Sequence, residues 1–142
     1  MKQINLIPSE KEEQKALVSR CKREGIRVIS IENSLQFPIN MVLDIVRPFV
    51  KSNQLENIKQ KLNKLMSILT AKRYSQGLYK GVPDMFFPQY KLFIELKRRE
   101  GGVISKEQLE AHAELREMGY KVEVCKGAQC AWQVIQNAKE RY

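Results

Sequence analysis

The chain has 142 residues, of which 43% are hydrophobic and 29% are charged, an ordinary composition for a globular domain. No apolar run approaches the roughly 20 residues that span a bilayer, and the N-terminus lacks the features of a signal peptide, so we expect a cytoplasmic protein with no membrane partner. The formal net charge is +9, and residues 41–83 hold eight Lys and Arg against two acids, which favours a nucleic-acid partner or else a solvated basic helix face.

Side-chain periodicity predicts the first elements. Residues 9–24 show helical spacing, with Ser9 as a cap and acids in the first turn. IRVISI at 26–31 alternates and is rich in β-branched residues, which predicts a strand. Pro38 and Pro48 interrupt the stretch that follows, and no long element is predicted there.

Residues 54–74 carry apolar side chains at three-to-four spacing with lysines opposite them, which predicts a second helix. With its lead-in this helix forms a basic helical segment at about 38–74, which we expect to be an insertion into a single domain spanning residues 1–142. Three cysteines without CxxC spacing argue against a disulfide framework and a zinc site. We expect buried free thiols at all three, Cys21, Cys125 and Cys130.

Two short strands, at 83–87 and 91–97, are joined by a tight turn and predict a hairpin. Three further elements follow: a helix opened by the capping box of Ser105 and Gln108, a strand at 120–125 and a helix at 128–139. This order predicts an α/β domain in which helices pack on a small mixed sheet.

The hairpin brings charged side chains together. Successive strand residues point to opposite faces, so Glu95 and Lys97 share a face. A symmetric turn pairs residue 85 with residue 94 and places Asp84 across from Glu95, with their Cα atoms about 4.5–5.5 Å apart. Facing carboxylates repel, and a hard divalent cation such as Mg²⁺ would offset that cost. The alternative is a surface hairpin with a Glu–Lys ion pair.

PD at 83–84 followed by ELK at 95–97 resembles the PD-(D/E)xK nuclease superfamily. More narrowly, GVPDMFF, FIELKRREGGVISKEQL and EMGYKVEVCKGAQCAWQVI resemble the VRR-NUC (virus-type replication-repair nuclease) domain. SEKEEQKALV is similar to that family's opening helix, so the resemblance covers about residues 9–137, with 38–68 longer than in minimal members. It implies a restriction-endonuclease-like αβββαβ core with an inserted helical segment.

The resemblance also implies roles for the hairpin residues. Asp84 and Glu95 would bind Mg²⁺ or Mn²⁺, with the carbonyl of Leu96 as an extra ligand, and Lys97 would assist the attacking water. Gln108 combines two roles, because it completes the capping box and also matches a glutamine that the family aims at the catalytic face.

One further metal-binding acid is expected on the first helix, and two candidates stay open. Glu10 best fits the family's spacing, and Glu13 is the alternative on the same helical face. A stabilising position beside the helix dipole would also explain either acid. His112, one turn beyond Gln108, is expected to be a partly exposed helix residue rather than a base or ligand.

The implied activity is that of a metal-dependent DNA endonuclease that leaves a 5′-phosphate. We expect it to be selective for Holliday junctions or other branched DNA, to act as a homodimer and to come from a phage or mobile element. Phosphate contacts are expected from Lys72, Arg73, Lys80, Arg98 and Arg99. The alternatives are a nucleic-acid-binding module without catalysis and a protein–protein adaptor whose charges are incidental.

Overall fold

A computed structural model of the chain describes residues 7–32 and 37–142. The chain forms two compact units, residues 1–33 with 80–142 and residues 34–79, which we call the sheet unit and the helical unit. That residues 1–142 act as one domain stays a prediction. Part of the stretch on which the signal-peptide argument rests, residues 1–6, lies outside the described ranges.

The sheet unit contains four strands and three helices within the described residues. They are α1 (Glu10–Arg23), β1 (Ile29–Ser30), β2 (Met85–Phe87), β3 (Leu92–Lys97), α4 (Lys106–Glu117), β4 (Lys121–Lys126) and α5 (Ala128–Lys139). The helices α2 (Ile39–Val46) and α3 (Ser52–Ser75) belong to the helical unit. The strand order is β1-β2-β3-β4, antiparallel except for the parallel pair β3–β4. This mixed sheet flanked by helices confirms the predicted α/β core.

Two apolar clusters cover the two faces of the sheet. On one face α1 and α5 pack on the strands, and Leu17, Trp132 and Ile135 are buried there. On the other face α4 contributes Leu115 to a smaller cluster with Phe93. Strand β3 is therefore the central element, buried on both sides.

The helical unit consists of α2 (Ile39–Val46), a 3₁₀ turn at Arg47–Phe49 and α3 (Ser52–Ser75). α2 packs on α3, but the pair leaves several large apolar side chains exposed: Met41, Ile45, Phe49, Leu65 and Ile68. Among the described helices, even α3 with its 24 residues lacks the apolar length needed to cross a membrane.

Three details differ from expectation. α2 was not predicted, because Pro38 lies at its N-cap and Pro48 in the following turn, where proline interrupts no helical hydrogen bond. The strand predicted at 26–31 is reduced to Ile29–Ser30, since only these residues pair with β2. The thiols of Cys21 and Cys125 are buried, but Cys130 is exposed.

Candidate active site

The hairpin register sets the geometry of the site. Met85 pairs with Ile94 and Phe87 with Leu92, so the predicted register is confirmed. Asp84, directly before β2, continues this register towards Glu95. Its Oδ2 accepts a hydrogen bond of 3.1 Å from the backbone N–H of Leu96. A backbone bond therefore holds the Asp84 carboxylate over the end of β3.

Glu95 is almost completely buried, with 1% of its surface exposed. Its Oε1 accepts from Gln108 Nε2 at 2.6 Å and from Lys97 Nζ at 3.0 Å. Its Oε2 is buried and has no hydrogen-bond partner among the described residues. A buried carboxylate oxygen without a partner is costly, so this atom marks a position where a ligand would be stabilised.

Gln108 connects helix α4 to the two charged residues of β3. Its backbone N–H donates to Ser105 Oγ, and its Oε1 accepts from the Ser105 N–H, which completes the predicted capping box. The same Oε1 also accepts from Lys97 Nζ at 3.3 Å. The local helix cap and the contact with the site thus coexist in one side chain.

Two glycines allow the close approaches that this arrangement requires. Gly81, just before the PD motif, has φ +84°, and a Cβ there would lie 2.9 Å from the backbone N of Gln108. A Cβ on Gly102 would lie 2.8 Å from Cβ of Lys97. The start of α4 and the loop after β3 can therefore pack against the site only because both positions lack a side chain.

Burial and a neighbouring negative charge disfavour the ionised form of both carboxylates. Burial, followed by the charge of Asp84, raises the pKa of Glu95 to about 7, although its contacts with Lys97 and Gln108 act in the opposite direction. Burial also raises the pKa of Asp84, with a further contribution from the charge of Glu10. Two adjacent acids that resist ionisation indicate a site prepared for positive charge.

The two acids of α1 have different surroundings. Glu13 is buried, and it accepts from Arg99 Nε at 2.7 Å and from the backbone N–H of Ala128 at 2.8 Å. Glu10 is exposed, accepts from the Arg98 N–H at 3.3 Å and lies close enough for its charge to affect Asp84. Glu13 therefore caps helix α5, whereas Glu10 borders the carboxylate pair.

His112 is buried, with 1% of its surface exposed, so the expectation of a partly exposed residue was wrong. It shares the inner face of α4 with Ala111 and Leu115, a spacing visible in the sequence. Burial and the charges of Arg116 and Lys97 lower its pKa, which favours the neutral imidazole.

The basic residues predicted to contact phosphates are divided between the two units. Lys72 and Arg73 lie near the end of α3 in the helical unit. In the sheet unit, Lys80 forms an ion pair with Glu107 at 3.1 Å, and Arg99 is held by Glu13. Arg98 is exposed directly after Lys97. The Arg99 pairing has no local sequence signal, because its partner lies 86 positions away.

Within the described ranges, no three carboxylate, imidazole or thiol side chains come together as a complete metal-binding group. The groups that are present nonetheless fit a hard cation. Asp84 and Glu95 supply two carboxylates, and the unpartnered Glu95 Oε2 is an available oxygen ligand. The donor set is oxygen-rich, which suits Mg²⁺ or Mn²⁺.

A family model described as the VRR-NUC domain matches residues 32–129. A solved structure titled "VRR_NUC domain protein" is similar, with a TM-score of 0.62 at 19% sequence identity, and the alignment covers 92% of this chain and 88% of that chain. At this identity the likeness shows a shared fold. No curated protein matches the chain. The family match begins after α1, so Glu10 and Glu13 lie outside it.

Proposed function

The chain belongs to the VRR-NUC family and has its nuclease-type fold, and we propose that it is a metal-dependent endonuclease that hydrolyses phosphodiester bonds in DNA. The observation that carries this proposal is the pair formed by half-buried Asp84 and buried Glu95. One oxygen of Glu95, Oε2, has no partner among the described residues, while the other pairs with the ammonium group of Lys97. A structural ion pair alone would need neither the second carboxylate nor the unpartnered oxygen.

The residues proposed to hold Mg²⁺ or Mn²⁺ are Asp84, Glu95 and the backbone carbonyl of Leu96, with Glu10 from α1. Glu10 is preferred to Glu13 because its charge acts on Asp84, whereas both oxygens of Glu13 already accept hydrogen bonds. When bound, the ion would polarise the phosphodiester and lower the pKa of a coordinated water.

Lys97 is proposed to orient the attacking water and to stabilise negative charge on the phosphate. Its ammonium is fixed between Glu95 Oε1 and Gln108 Oε1, at 3.0 and 3.3 Å, so its direction is set before substrate arrives. Gln108 would act as a positioning residue, because it donates to Glu95 and accepts from Lys97 at once.

We propose branched DNA, such as a Holliday junction, as the preferred substrate of a homodimer. Two sites on one assembly would suit a substrate that needs paired cuts. The exposed apolar side chains of the helical unit support self-association, since Phe49 is 83% exposed and Met41 and Ile45 are exposed as well. Light scattering of wild type and of Phe49→Asp should give a dimer and a monomer, and a wild-type monomer would contradict this part.

The central experiment measures cleavage of end-labelled linear duplex, single strand, flap and four-way junction in Mg²⁺ and Mn²⁺. Wild type should cleave at least one substrate, and this cleavage should stop when chelator is added. Lys97→Met and Asp84→Asn should each lose at least about 100-fold in rate, because the first removes the positive charge proposed to act on the phosphate and the second removes a proposed metal ligand. Lys106→Met, an exposed lysine in an ion pair on α4, is the matched control and should retain the activity.

The experiment also separates the alternatives. Binding of DNA without cleavage in either metal would favour the catalytically silent module. Cleavage that persists in Asp84→Asn would remove the proposed site from the mechanism. Equal rates on linear duplex and junction would contradict the proposed structure selectivity.

A further inference from the structure

The outer side of α1 forms an open basic groove that sequence patterning did not assign. It has a volume of about 550 Å³, and its lining includes Lys11, Gln14, Lys15, Lys22 and Ser30. The three lysines are exposed. They stand four and eleven positions apart, which on a helix of 3.6 residues per turn places all three within about 40° of one another. The groove therefore has one continuous strip of positive charge.

The acids at the start of α1 are engaged elsewhere. Glu13 faces inward to Arg99 and Ala128, and Glu10 accepts from the Arg98 N–H. Glu12 interacts electrostatically with Lys15, but its Oε2 is held by the N–H and hydroxyl of Ser9 in the helix cap. The positive charge of the strip thus continues beyond the acidic first turn.

The groove ends beside the candidate active site. Gln14 Nε2 donates to Ser30 Oγ at 3.0 Å, which joins α1 to the edge strand β1. Ser30 pairs with Met85, and the next residue, Ile31, donates its N–H to the carbonyl of Asp84 at 2.7 Å. A linear ligand lying in the groove would therefore run towards Asp84.

We propose that this groove binds the phosphodiester backbone of one double-stranded arm of the substrate and guides it to the carboxylate pair. This proposal rests on the proposed function. Lys11 and Lys22 lie about 16 Å apart along the helix axis, which corresponds to about five phosphates of one strand at 3.4 Å per step. Ammonium groups contact phosphates without reading bases, so the groove supplies affinity and orientation rather than sequence preference.

The test compares the double variant Lys15→Gln/Lys22→Gln with the control Lys91→Gln/Lys139→Gln. The control also removes two positive charges, but Lys91 directly precedes β3, whose other end carries Lys97, and Lys139 is the last residue of α5. Anisotropy of labelled 20-base-pair duplexes of two unrelated sequences is measured in EDTA between 50 and 200 mM salt. In the groove variant, the plot of log K (the binding constant) against log salt should be less steep by about 2. Binding should weaken about tenfold, equally for both sequences. The control should change the slope by less than about 0.5.

Cleavage in Mg²⁺ gives a second readout. The groove variant should raise KM about tenfold and keep the kcat of wild type, because its lysines act on binding rather than on the reacting phosphate. If wild type binds and cleaves DNA while the groove variant matches the control, this inference fails and the proposed function stands. If wild type neither binds nor cleaves DNA in any form, both fail.

Discussion

The two faces of strand β3 are buried to a similar extent but are built from different chemistry. Leu92, Ile94 and Leu96 enter the large cluster under α1 and α5. On the opposite face, Phe93 packs in the small cluster under α4, and Glu95 and Lys97 follow it, with 1% and 9% of their surface exposed. One six-residue strand thus contributes to the main core and to the candidate active site at the same time.

This difference shows where the fold can accommodate a costly group. Burying an ionised carboxylate is unfavourable unless it is paired and hydrogen-bonded. Glu95 has partners for one oxygen only, and Asp84 beside it adds repulsion. The apolar face supplies the stability that offsets this cost. Local conflicts of this kind are expected at functional sites.

The largest effect on stability should come from substituting one residue on each face of β3, Ile94 on the apolar face and Glu95 on the opposite face. Ile94→Ala should lower the free energy of unfolding by about 2–5 kcal/mol, since Ile94 is fully buried in the main cluster and the truncation leaves a cavity. Glu95→Gln should unfold at the same or higher denaturant concentration than wild type at pH 8, because folding raises the pKa of Glu95 to about 7 and the neutral amide avoids the cost of ionising it in the native state. Urea titration measures both.

Activity should show the opposite pattern. Glu95→Gln should lose cleavage at least about 100-fold while it folds normally. Ile94→Ala should retain cleavage at a temperature where it is folded. A Glu95→Gln variant that is less stable than Ile94→Ala would mean that Glu95 is a structural ion-pair residue and that both faces of β3 serve stability.

The second effect concerns the two acids of α1. Glu13→Gln should lower the free energy of unfolding by about 2 kcal/mol, because the negative charge is lost and only one of the two acceptors that bind Arg99 and the α5 N-terminus remains. Glu10→Gln should change it by less than about 0.5 kcal/mol, since Glu10 is exposed. Cleavage should be reduced at least about tenfold by Glu10→Gln. The reverse pattern would assign the metal-binding acid of α1 to Glu13.

The parts of the site that sequence predicted are those set by short-range patterns. Strand alternation and a short turn determine which residues of a hairpin face each other, so the register of residues 85 and 94 followed directly. The capping box of Ser105 and Gln108 is likewise a four-residue signal. Together they place Asp84, Glu95, Lys97 and Gln108 within one neighbourhood.

The remaining features depend on contacts between distant segments. The Glu13–Arg99 pair forms because β3 and α1 meet in the fold, and nothing local distinguishes Glu13 from Glu10. The expectation that His112 is partly exposed follows from its residue type, whereas its burial follows from its position on the inner face of α4. The basic groove requires β1 to pack beside α1, which the lysine spacing alone does not reveal.

The last effect is the pH dependence of the stability difference between wild type and Glu95→Gln. The pKa of Glu95 rises from 4.5 to about 7 on folding, so its protonated form is favoured in the native state. Its stabilising contribution is fully present below pH 4.5 and is lost as the pH rises through 7. Buried His112 has the opposite slope, because its lowered pKa removes stability as the pH falls below 6.5.

The difference between wild type and Glu95→Gln isolates the carboxyl from the imidazole, which both proteins share. In metal-free buffer, the stability advantage of Glu95→Gln should grow by about 2 kcal/mol between pH 5 and pH 8. Urea titrations at both pH values measure it, and Ile94→Ala should keep a constant difference from wild type. A constant gap for Glu95→Gln would mean that Glu95 ionises normally in the native protein. The side of β3 that faces α4 would then accommodate an ionised Glu95 without a cation. The two faces of β3 would differ in how their side chains pack and not in their electrostatics.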